Sequence, residues 1–124
     1  MYESEPTVLN QVNTKKEYLD RVKLGFQAVL EYGGTGSGYI DKKYKPAGKT
    51  GTSQSFIDTD GDGKIDTETI TNTFVGYAPY DNPKVTFTVV SPDVSHYGNN
   101  STYQTYVNKR ISNRISQKYF ELYP

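Results

Sequence analysis

Residues 46–54, with the sequence PAGKTGTSQ, place one cation beside two hydroxyl groups and a glycine. An ammonium group and neighbouring hydroxyls that are held on one strand can bind a carboxylate through charge-assisted hydrogen bonds. The ammonium would come from Lys49 and the hydroxyls from Thr50 and Thr52. Gly51 has no side chain, which would let a ligand or a neighbouring helix approach the strand closely. Because side chains alternate between the two faces of a strand, spacing alone does not show that Lys49 and Thr50 converge.

The same residues also resemble the end of a phosphate-binding loop. Such a loop requires a glycine, four further residues, and then Gly-Lys-Ser or Gly-Lys-Thr. The first glycine would fall at position 43, which is Lys43, and bulky residues occupy positions 42–46. Backbone amides cannot wrap around a phosphate there, so the phosphate-binding interpretation is excluded. The glycine-rich segment 33–38, GGTGSG, is interpreted as a flexible link because Tyr39 stands where a dinucleotide-binding loop needs its last glycine.

An acidic loop, DTDGDGKIDTE at residues 58–68, is a second candidate site. Oxygen ligands at alternate positions, with a glycine at the sharp turn, are typical of a calcium-binding loop. The ligands would be Asp58, Asp60, Asp62, the carbonyl of Lys64, and Asp66. The last ligand position holds Thr69 instead of an acidic residue, and the flanking segments have strand patterns. A polar hairpin tip rich in Asp and Gly is therefore the alternative to weak calcium binding.

The elements that position these residues follow from hydrophobic periodicity and turn residues. We predict a helix over 15–32, a strand over 48–57, two strands over 71–80 and 84–91 that form an antiparallel hairpin, and a helix over 102–119. The apolar face of the first helix would contain Leu19, Val22, Phe26, Val29 and Leu30, and that of the second Tyr103, Val107, Ile111 and Ile115. This order predicts an α+β fold, a three-stranded antiparallel sheet flanked by two helices, with the acidic loop at the tip of the first hairpin.

The composition excludes several classes of protein. The chain has 124 residues, no cysteine, and 14 basic and 14 acidic residues. A net charge of zero gives no general attraction to nucleic acid, and a chain without cysteine has neither disulfides nor thiolate metal sites. No apolar run approaches the roughly 18 residues needed to span a bilayer. Only 34% of the residues are hydrophobic, so we expect a small core, and we expect residues 1–13 to be poorly ordered.

Longer stretches of the chain resemble a known family. The segment VKLGFQAVLEYGGTGSGYIDKKYKPAGKTGTSQ is similar to the run into the third active-site motif of penicillin-binding protein transpeptidase domains. The segment NTFVGYAPYDNPKVTFTVV is similar to the next two strands of that family, and the second helix falls where the family's last helix falls. The resemblance covers roughly residues 19–120. Within it, the segment GYAPYDNPK is more similar to the monofunctional class B enzymes of the family than to the bifunctional class A enzymes. It implies the C-terminal part of the β-lactamase/transpeptidase-like fold over residues 1–124.

The resemblance also implies roles for the residues around the K-T-G motif. Lys49 would place positive charge in the active-site cleft, and Thr50 and Thr52 would bind the carboxylate of a D-Ala-D-Ala stem peptide or a β-lactam. The backbone N–H of Thr52 would form half of the oxyanion hole, and Gly51 would line the same substrate site. The S-x-x-K and S-x-N motifs of the family are absent from this sequence, so the chain alone should be inactive. The resemblance implies an extracytoplasmic enzyme at the bacterial cell membrane that needs no cofactor.

Two other functions remain open from the sequence. The chain could be a non-catalytic, calcium-dependent binding module whose K-T-G is incidental, or a degenerate transpeptidase-like scaffold. In the resembled family, two further strands pair beside the strand at 84–91. We therefore expect an exposed, apolar sheet edge there that joins copies of the isolated chain into a homodimer or a swapped assembly.

Overall fold

A computed structural model describes residue 5, residues 7–94 and residues 101–124, with the backbone alone described for residues 101–105. It contains helix α1, Lys16–Leu30; strands β1, Ala47–Ile57, β2, Thr67–Ala78, and β3, Val85–Ser91; and helix α2, Ser101–Leu122. A short 3₁₀ turn, Lys42–Tyr44, precedes β1. The predicted α+β fold and the order of its elements are confirmed. The expected disorder of residues 1–13 falls partly outside the described residues and stays a prediction.

The three strands form one antiparallel sheet in the order β1-β2-β3. The β1–β2 pairing runs from Ala47 opposite Tyr77 to Ile57 opposite Thr67, so the acidic loop lies at the tip of this hairpin, as predicted. The β2 strand ends at Ala78, two residues earlier than predicted, and Pro79, which follows, has no N–H to continue the ladder. Because β2 lies between them, β1 and β3 are the two edge strands of the described sheet.

The hydrophobic core is small and centres on Phe74 of β2. Phe74 is fully buried and packs with Leu30, Tyr39 and Ile40, with ring centroids 4.5 Å apart for Tyr39 and Phe74. Phe87 of β3 lies against the same cluster. The core therefore joins the end of α1, the segment before β1 and the centre of the sheet.

Only the C-terminal end of α1 reaches this core. Leu30 is 2% exposed and Val29 packs against the cluster, but Leu19 and Val22 are 48% and 54% exposed. The predicted apolar face is thus buried at one end alone. The apolar periodicity of a helix indicates which face can be buried, whereas the extent of its neighbours decides how much of that face is covered.

The buried face of α2 differs from the predicted one. Ile111 and Ile115 are 41% and 37% exposed, and Tyr103 lies outside the described side chains. The face that packs on β2 and β3 is instead polar, made of Asn108, Ser112 and Ser116, each at most 1% exposed. Asn108 Nδ2 donates a hydrogen bond of 3.0 Å to the backbone carbonyl of Asn72, which joins this polar face of the helix to β2.

The glycine-rich segment 33–38 is a series of hydrogen-bonded turns, not the flexible link that we predicted. The Gly36 amide donates to Val29 O at 2.9 Å and the Gly34 amide to Glu31 O at 3.0 Å. A side chain at Gly34 would collide with the carbonyls at the end of α1. Gly34 and Gly36 therefore let the chain fold back tightly on α1, and this fold places Thr35 beside β1.

Gly48 of β1 and Gly25 of α1 make a matched pair of positions for a stability measurement. A Cβ at Gly48 would lie 2.5 Å from the carbonyl oxygen of Val75, a backbone atom that cannot rotate away. We expect Gly48→Ala to lower the free energy of unfolding by about 1–3 kcal/mol. Gly25 lies inside α1, and a Cβ added there would have no neighbouring atom within 4 Å, so Gly25→Ala should raise that free energy by about 1 kcal/mol through helix propensity. Urea unfolding of both variants is the check, and equal stabilities would contradict the assigned β1–β2 packing.

Candidate active site

Lys49 lies near the start of the edge strand β1 with its side chain exposed. Its Nζ donates a hydrogen bond of 2.5 Å to the backbone carbonyl of Thr50. Within the described part of the chain, no carboxylate forms a salt bridge with Lys49. The ammonium charge is therefore free to attract an anionic ligand.

The β1–β2 register separates Lys49 from the threonines. Lys49 stands opposite Val75, which is 44% exposed, whereas Thr50 stands opposite the buried Phe74. Residues that face each other across two strands point to the same side of the sheet, and Thr52 is two residues beyond Thr50. The two threonines thus share the core-side face, and Lys49 starts from the opposite face. The structure does not bring all of the predicted carboxylate ligands to one face of the strand.

The Thr50 hydroxyl has a partner that sequence reasoning missed. Its Oγ1 lies 2.8 Å from Oγ1 of Thr35, which belongs to the glycine-rich turn 15 residues earlier. This hydrogen bond ties the turn to the strand that carries the K-T-G motif. The GGTG sequence at residues 33–36, which places one hydroxyl among glycines upstream of the K-T-G strand, was the available signal.

The Thr52 hydroxyl has a second partner that sequence reasoning missed. Thr52 Oγ1 donates a hydrogen bond of 3.1 Å to Oδ1 of Asn72, the residue directly opposite on β2. Asn72 is 4% exposed. Nothing in the local sequence around Asn72 marks it as part of a site, because the contact depends on the strand register.

Gly51 keeps the strand free of a side chain where a neighbour needs the space. A Cβ at this position would collide with the hydroxyl of Thr73, which faces Gly51 across the two strands. The close approach that was predicted for Gly51 is thus made by a residue of the adjacent strand. Its predicted place in the substrate site stays a prediction.

The cavities described in this chain lie away from the K-T-G motif. Those of about 360 and 460 Å³ along α2 are lined by residues such as Tyr106, Arg110 and Arg114, and one of about 400 Å³ at the hairpin tip is lined by residues such as Phe56 and Ile65. Neither Lys49 nor the two threonines line these three cavities.

The acidic loop brings together some of the predicted calcium ligands. Carboxylate oxygens of Asp58, Asp60 and Asp66 all lie within 4.8 Å of one another. Asp62 is turned to Lys64, whose backbone N and side-chain Nζ donate to it at 2.7 and 3.0 Å. Calcium binding by this loop stays a prediction, and a rise in melting temperature on adding roughly millimolar calcium is the direct check.

The acidic loop is already organised by its own backbone. The amides of Gly61 and Gly63, both with positive φ, donate to the two carboxylate oxygens of Asp58 at 2.7 Å each. These bonds favour the charged form and lower the pKa of the Asp58 carboxyl. Bonds from the Thr59 side chain likewise lower the pKa of Asp66.

Acid should loosen this hairpin tip. Because the folded-state pKa of Asp58 lies below its ordinary value of 3.8, the stabilisation by its charged form is complete above that value. It is lost as the pH falls below 3.8 and through the lower folded-state pKa. The protection of the Gly61 and Gly63 amides against exchange, relative to an unstructured peptide at the same pH, should therefore fall with acid, and Asp58→Asn should remove that dependence. Protection of these two amides that does not change with acid would contradict the assignment.

Comparison with known proteins agrees with this fold and identifies its family. Residues 2–117 match the model of the family described as penicillin binding protein transpeptidase domain. The chain is 39% identical over 118 residues to penicillin-binding protein 2A of Bacillus subtilis strain 168, and 32% identical over 118 residues to penicillin-binding protein H of the same strain. The chain therefore belongs to the penicillin-binding protein transpeptidase family.

A solved structure shows the same architecture. Penicillin-binding protein 2B from Streptococcus pneumoniae strain R6 matches with a TM-score of 0.67 and 26% identity, over 100% of this chain and 19% of that one. The two Bacillus relatives are matched over 95% of this chain but only 16% and 15% of their own lengths. The predicted fold class and family are thus confirmed for a chain that spans less than a fifth of each relative. Neither helix, as far as its residues are described, combines the length and apolarity needed to cross a membrane.

Proposed function

We propose that this chain is the C-terminal part of a peptidoglycan D,D-transpeptidase domain, and that β1 holds the terminal carboxylate of the substrate. The observation that carries the proposal is the K-T-G-T sequence on an exposed edge strand, where Lys49 has no acidic partner among the described residues, in a chain of the transpeptidase family. The substrate class would be stem peptides that end in D-Ala-D-Ala. β-Lactams, which also carry a carboxylate beside a reactive carbonyl, would occupy the same strand.

The proposed chemistry is acyl transfer. A serine hydroxyl outside this chain attacks the carbonyl of the penultimate D-Ala, forms an ester with it and releases the terminal D-Ala. An amine of a second stem peptide then attacks the ester, forms the crosslink and frees the serine. Lys49 contributes positive charge near the substrate carboxylate and takes part in the proton network around the serine. The backbone N–H of Thr52 donates to the oxyanion of each tetrahedral intermediate.

The family match favours this proposal over an unrelated calcium-dependent module, because 116 consecutive residues, 2–117, fit the transpeptidase family. A transpeptidase-like scaffold without activity would share the same fold. The active enzyme and the inactive scaffold differ in whether the longer protein, of which we propose this chain is a part, forms a covalent adduct with a β-lactam.

Covalent labelling tests the proposal. The longer protein, incubated with a fluorescent penicillin and run on a denaturing gel, should carry the label, and an excess of unlabelled penicillin should prevent it. The isolated chain should stay unlabelled, since its sequence contains no S-x-x-K motif. Absence of label on the longer protein would favour the scaffold, and label on the isolated chain would contradict the assignment of the nucleophile.

Location and partners follow from the proposed substrate. Peptidoglycan lies outside the cytoplasmic membrane, so we place the domain on the extracytoplasmic face of the bacterial cell membrane. The net charge of zero is consistent with an absence of nucleic-acid partners. The proposed reaction needs no cofactor.

We also propose that the isolated chain forms a homodimer through β3. This edge strand, VTFTVVS, carries no charged residue, and Val90 on it is 56% exposed. An uncharged edge strand recruits another strand through its free backbone groups. A two-fold pairing of β3 with itself would centre on Thr88, the middle residue of the strand.

Light scattering over a range of concentrations checks the homodimer. We expect a dimer for the unaltered chain, and a monomer for Val90→Lys, because a charge on an edge strand opposes pairing. Val12→Lys is the matched control: Val12 is 83% exposed and lies outside the sheet, so the variant should remain dimeric. A monodisperse monomer of the unaltered chain at high concentration would refute the pairing.

A further inference from the structure

Asn72 occupies a buried position between the K-T-G-T strand and helix α2. It is 4% exposed and stands directly opposite Thr52 in the β1–β2 ladder. Its backbone carbonyl accepts the bond of 3.0 Å from Asn108 Nδ2, and Asn108 Oδ1 in turn accepts a hydrogen bond from Ser91. The backbone of Asn72 is therefore anchored to α2 and, through it, to β3.

The side-chain amide of Asn72 is only half satisfied. Its Oδ1 accepts the hydrogen bond from the Thr52 hydroxyl, but its Nδ2 is buried without a hydrogen-bond partner among the described residues. A buried donor without a partner loses the hydrogen bond that water gives it in the unfolded chain. A half-turn about the Cβ–Cγ bond would exchange the two ends of the amide, so that Oδ1 instead of Nδ2 would be the buried atom without a partner.

The orientation of that amide decides what Thr52 can offer a ligand. A threonine hydroxyl has a single hydrogen to donate. While Asn72 Oδ1 accepts this hydrogen, Thr52 has none for a substrate carboxylate, which can only accept. After the half-turn, Nδ2 donates to Thr52 Oγ1 and the hydroxyl hydrogen becomes free, while Oδ1 takes the buried position without a partner. Each of the two orientations therefore leaves one end of the amide unpaired, and a ligand that accepts the hydroxyl hydrogen favours the second.

We propose that Asn72 is a positioning residue for carboxylate recognition, whose amide turns over when ligand binds and directs the Thr52 hydroxyl hydrogen to the ligand. The proposal rests on the proposed function, because it assumes that Thr52 meets a substrate carboxylate. Asn72 itself does not touch the ligand. The turn changes no backbone contact, since Asn108 holds the carbonyl of Asn72 and not its side chain.

Substitution of Asn72 should affect only ligands that carry a carboxylate. In the longer protein, Asn72→Asp places two acceptor oxygens opposite Thr52 and keeps its hydrogen engaged. The rate of acylation by a penicillin should fall by roughly 10-fold or more, as expected for loss of a hydrogen bond to a charged group. The rate with the methyl ester of the same penicillin should change little. The measured quantity is the ratio of these two rates.

A double-mutant cycle separates positioning from general disruption. In a Thr52→Val background, which has no hydroxyl hydrogen to direct, Asn72→Asp should leave the ratio unchanged. Thr71→Val is the matched control, because the Thr71 hydroxyl makes a comparable bond of 2.8 Å to Ser55 of β1, away from the K-T-G motif. It should not alter the ratio.

A second variant is needed because the buried carboxylate of Asn72→Asp could prevent folding. Asn72→Leu has a similar volume and no acceptor, so Thr52 keeps a free but undirected hydrogen, and the ratio should fall by only about threefold. Melting temperatures show which variants are folded. Equal loss with penicillin and ester, or an undiminished effect in the Thr52→Val background, would overturn the proposal while leaving the proposed function intact. Absence of label on the unaltered protein would overturn both.

Discussion

Lys49→Ala in the longer protein should slow acylation by a fluorescent penicillin by about 100-fold or more. The reason is electrostatic: the Lys49 ammonium is exposed, forms no salt bridge with the described residues, and is held beside β1 by its bond to the Thr50 carbonyl. A pre-positioned charge stabilises an anion in the transition state without reorganisation, and loss of one such donor typically costs about 10²–10³ in rate. Time-resolved labelling on a denaturing gel measures the effect.

Two further variants at lysine positions make this result specific. Lys118→Ala removes a cation that pairs with Glu121 on α2, and it should label at the unaltered rate. Lys49→Arg keeps the charge but replaces a compact ammonium by a planar guanidinium, so it should label at an intermediate rate. A Lys49→Ala protein that is folded and labels as fast as the unaltered protein would remove Lys49 from the site.

Phe74→Ala should have the largest effect on stability. Phe74 is fully buried at the centre of the sheet and belongs to the core cluster, with its ring centroid 4.5 Å from that of Tyr39 and 6.1 Å from that of Phe87. Truncation of a buried phenylalanine typically costs about 3–5 kcal/mol, and whole domains are stable by only about 5–15 kcal/mol. With so small a core, we expect the isolated chain to be largely unfolded when it carries this substitution.

Phe56→Ala is the matched control for this prediction. Phe56 is the same residue type on β1, but it is 56% exposed near the hairpin tip. Its truncation removes little buried area and should leave the melting transition nearly unchanged. Circular dichroism melts of both variants make the comparison, and similar losses in the two would mean that the core does not centre on Phe74.

The order and type of the secondary-structure elements could be predicted from the sequence because each depends on local signals. Helical periodicity in α1, β-branched runs in β2 and β3, and the turn at residues 81–83 act over a few positions. The K-T-G motif and its flanks are also contiguous, so the family could be inferred without tertiary information. The position of the acidic loop at the tip of the β1–β2 hairpin could also be predicted, because the loop and its flanking strands are consecutive in the sequence.

The partners of the two threonines were decided by tertiary structure alone. Thr50 meets Thr35 from 15 residues away and Thr52 meets Asn72 from 20 residues away. Such pairs depend on the strand register and on how the glycine-rich turn folds back, and a shift of register by one residue would move every side chain to the other face. No local pattern around Asn72 distinguishes it from its neighbours.

The buried face of α2 shows the same limit most clearly. Its sequence contains an apolar stripe and a small polar stripe at the same helical spacing, and hydrophobicity favours the apolar one with Ile111 and Ile115. In the fold, Asn108, Ser112 and Ser116 face the sheet, where Asn108 donates a hydrogen bond to the β2 backbone, and the two isoleucines remain 41% and 37% exposed. The sequence by itself determined the elements, the motif and the family, since these reside in neighbouring residues. The tertiary structure decided which faces meet, since that depends on groups far apart in the chain.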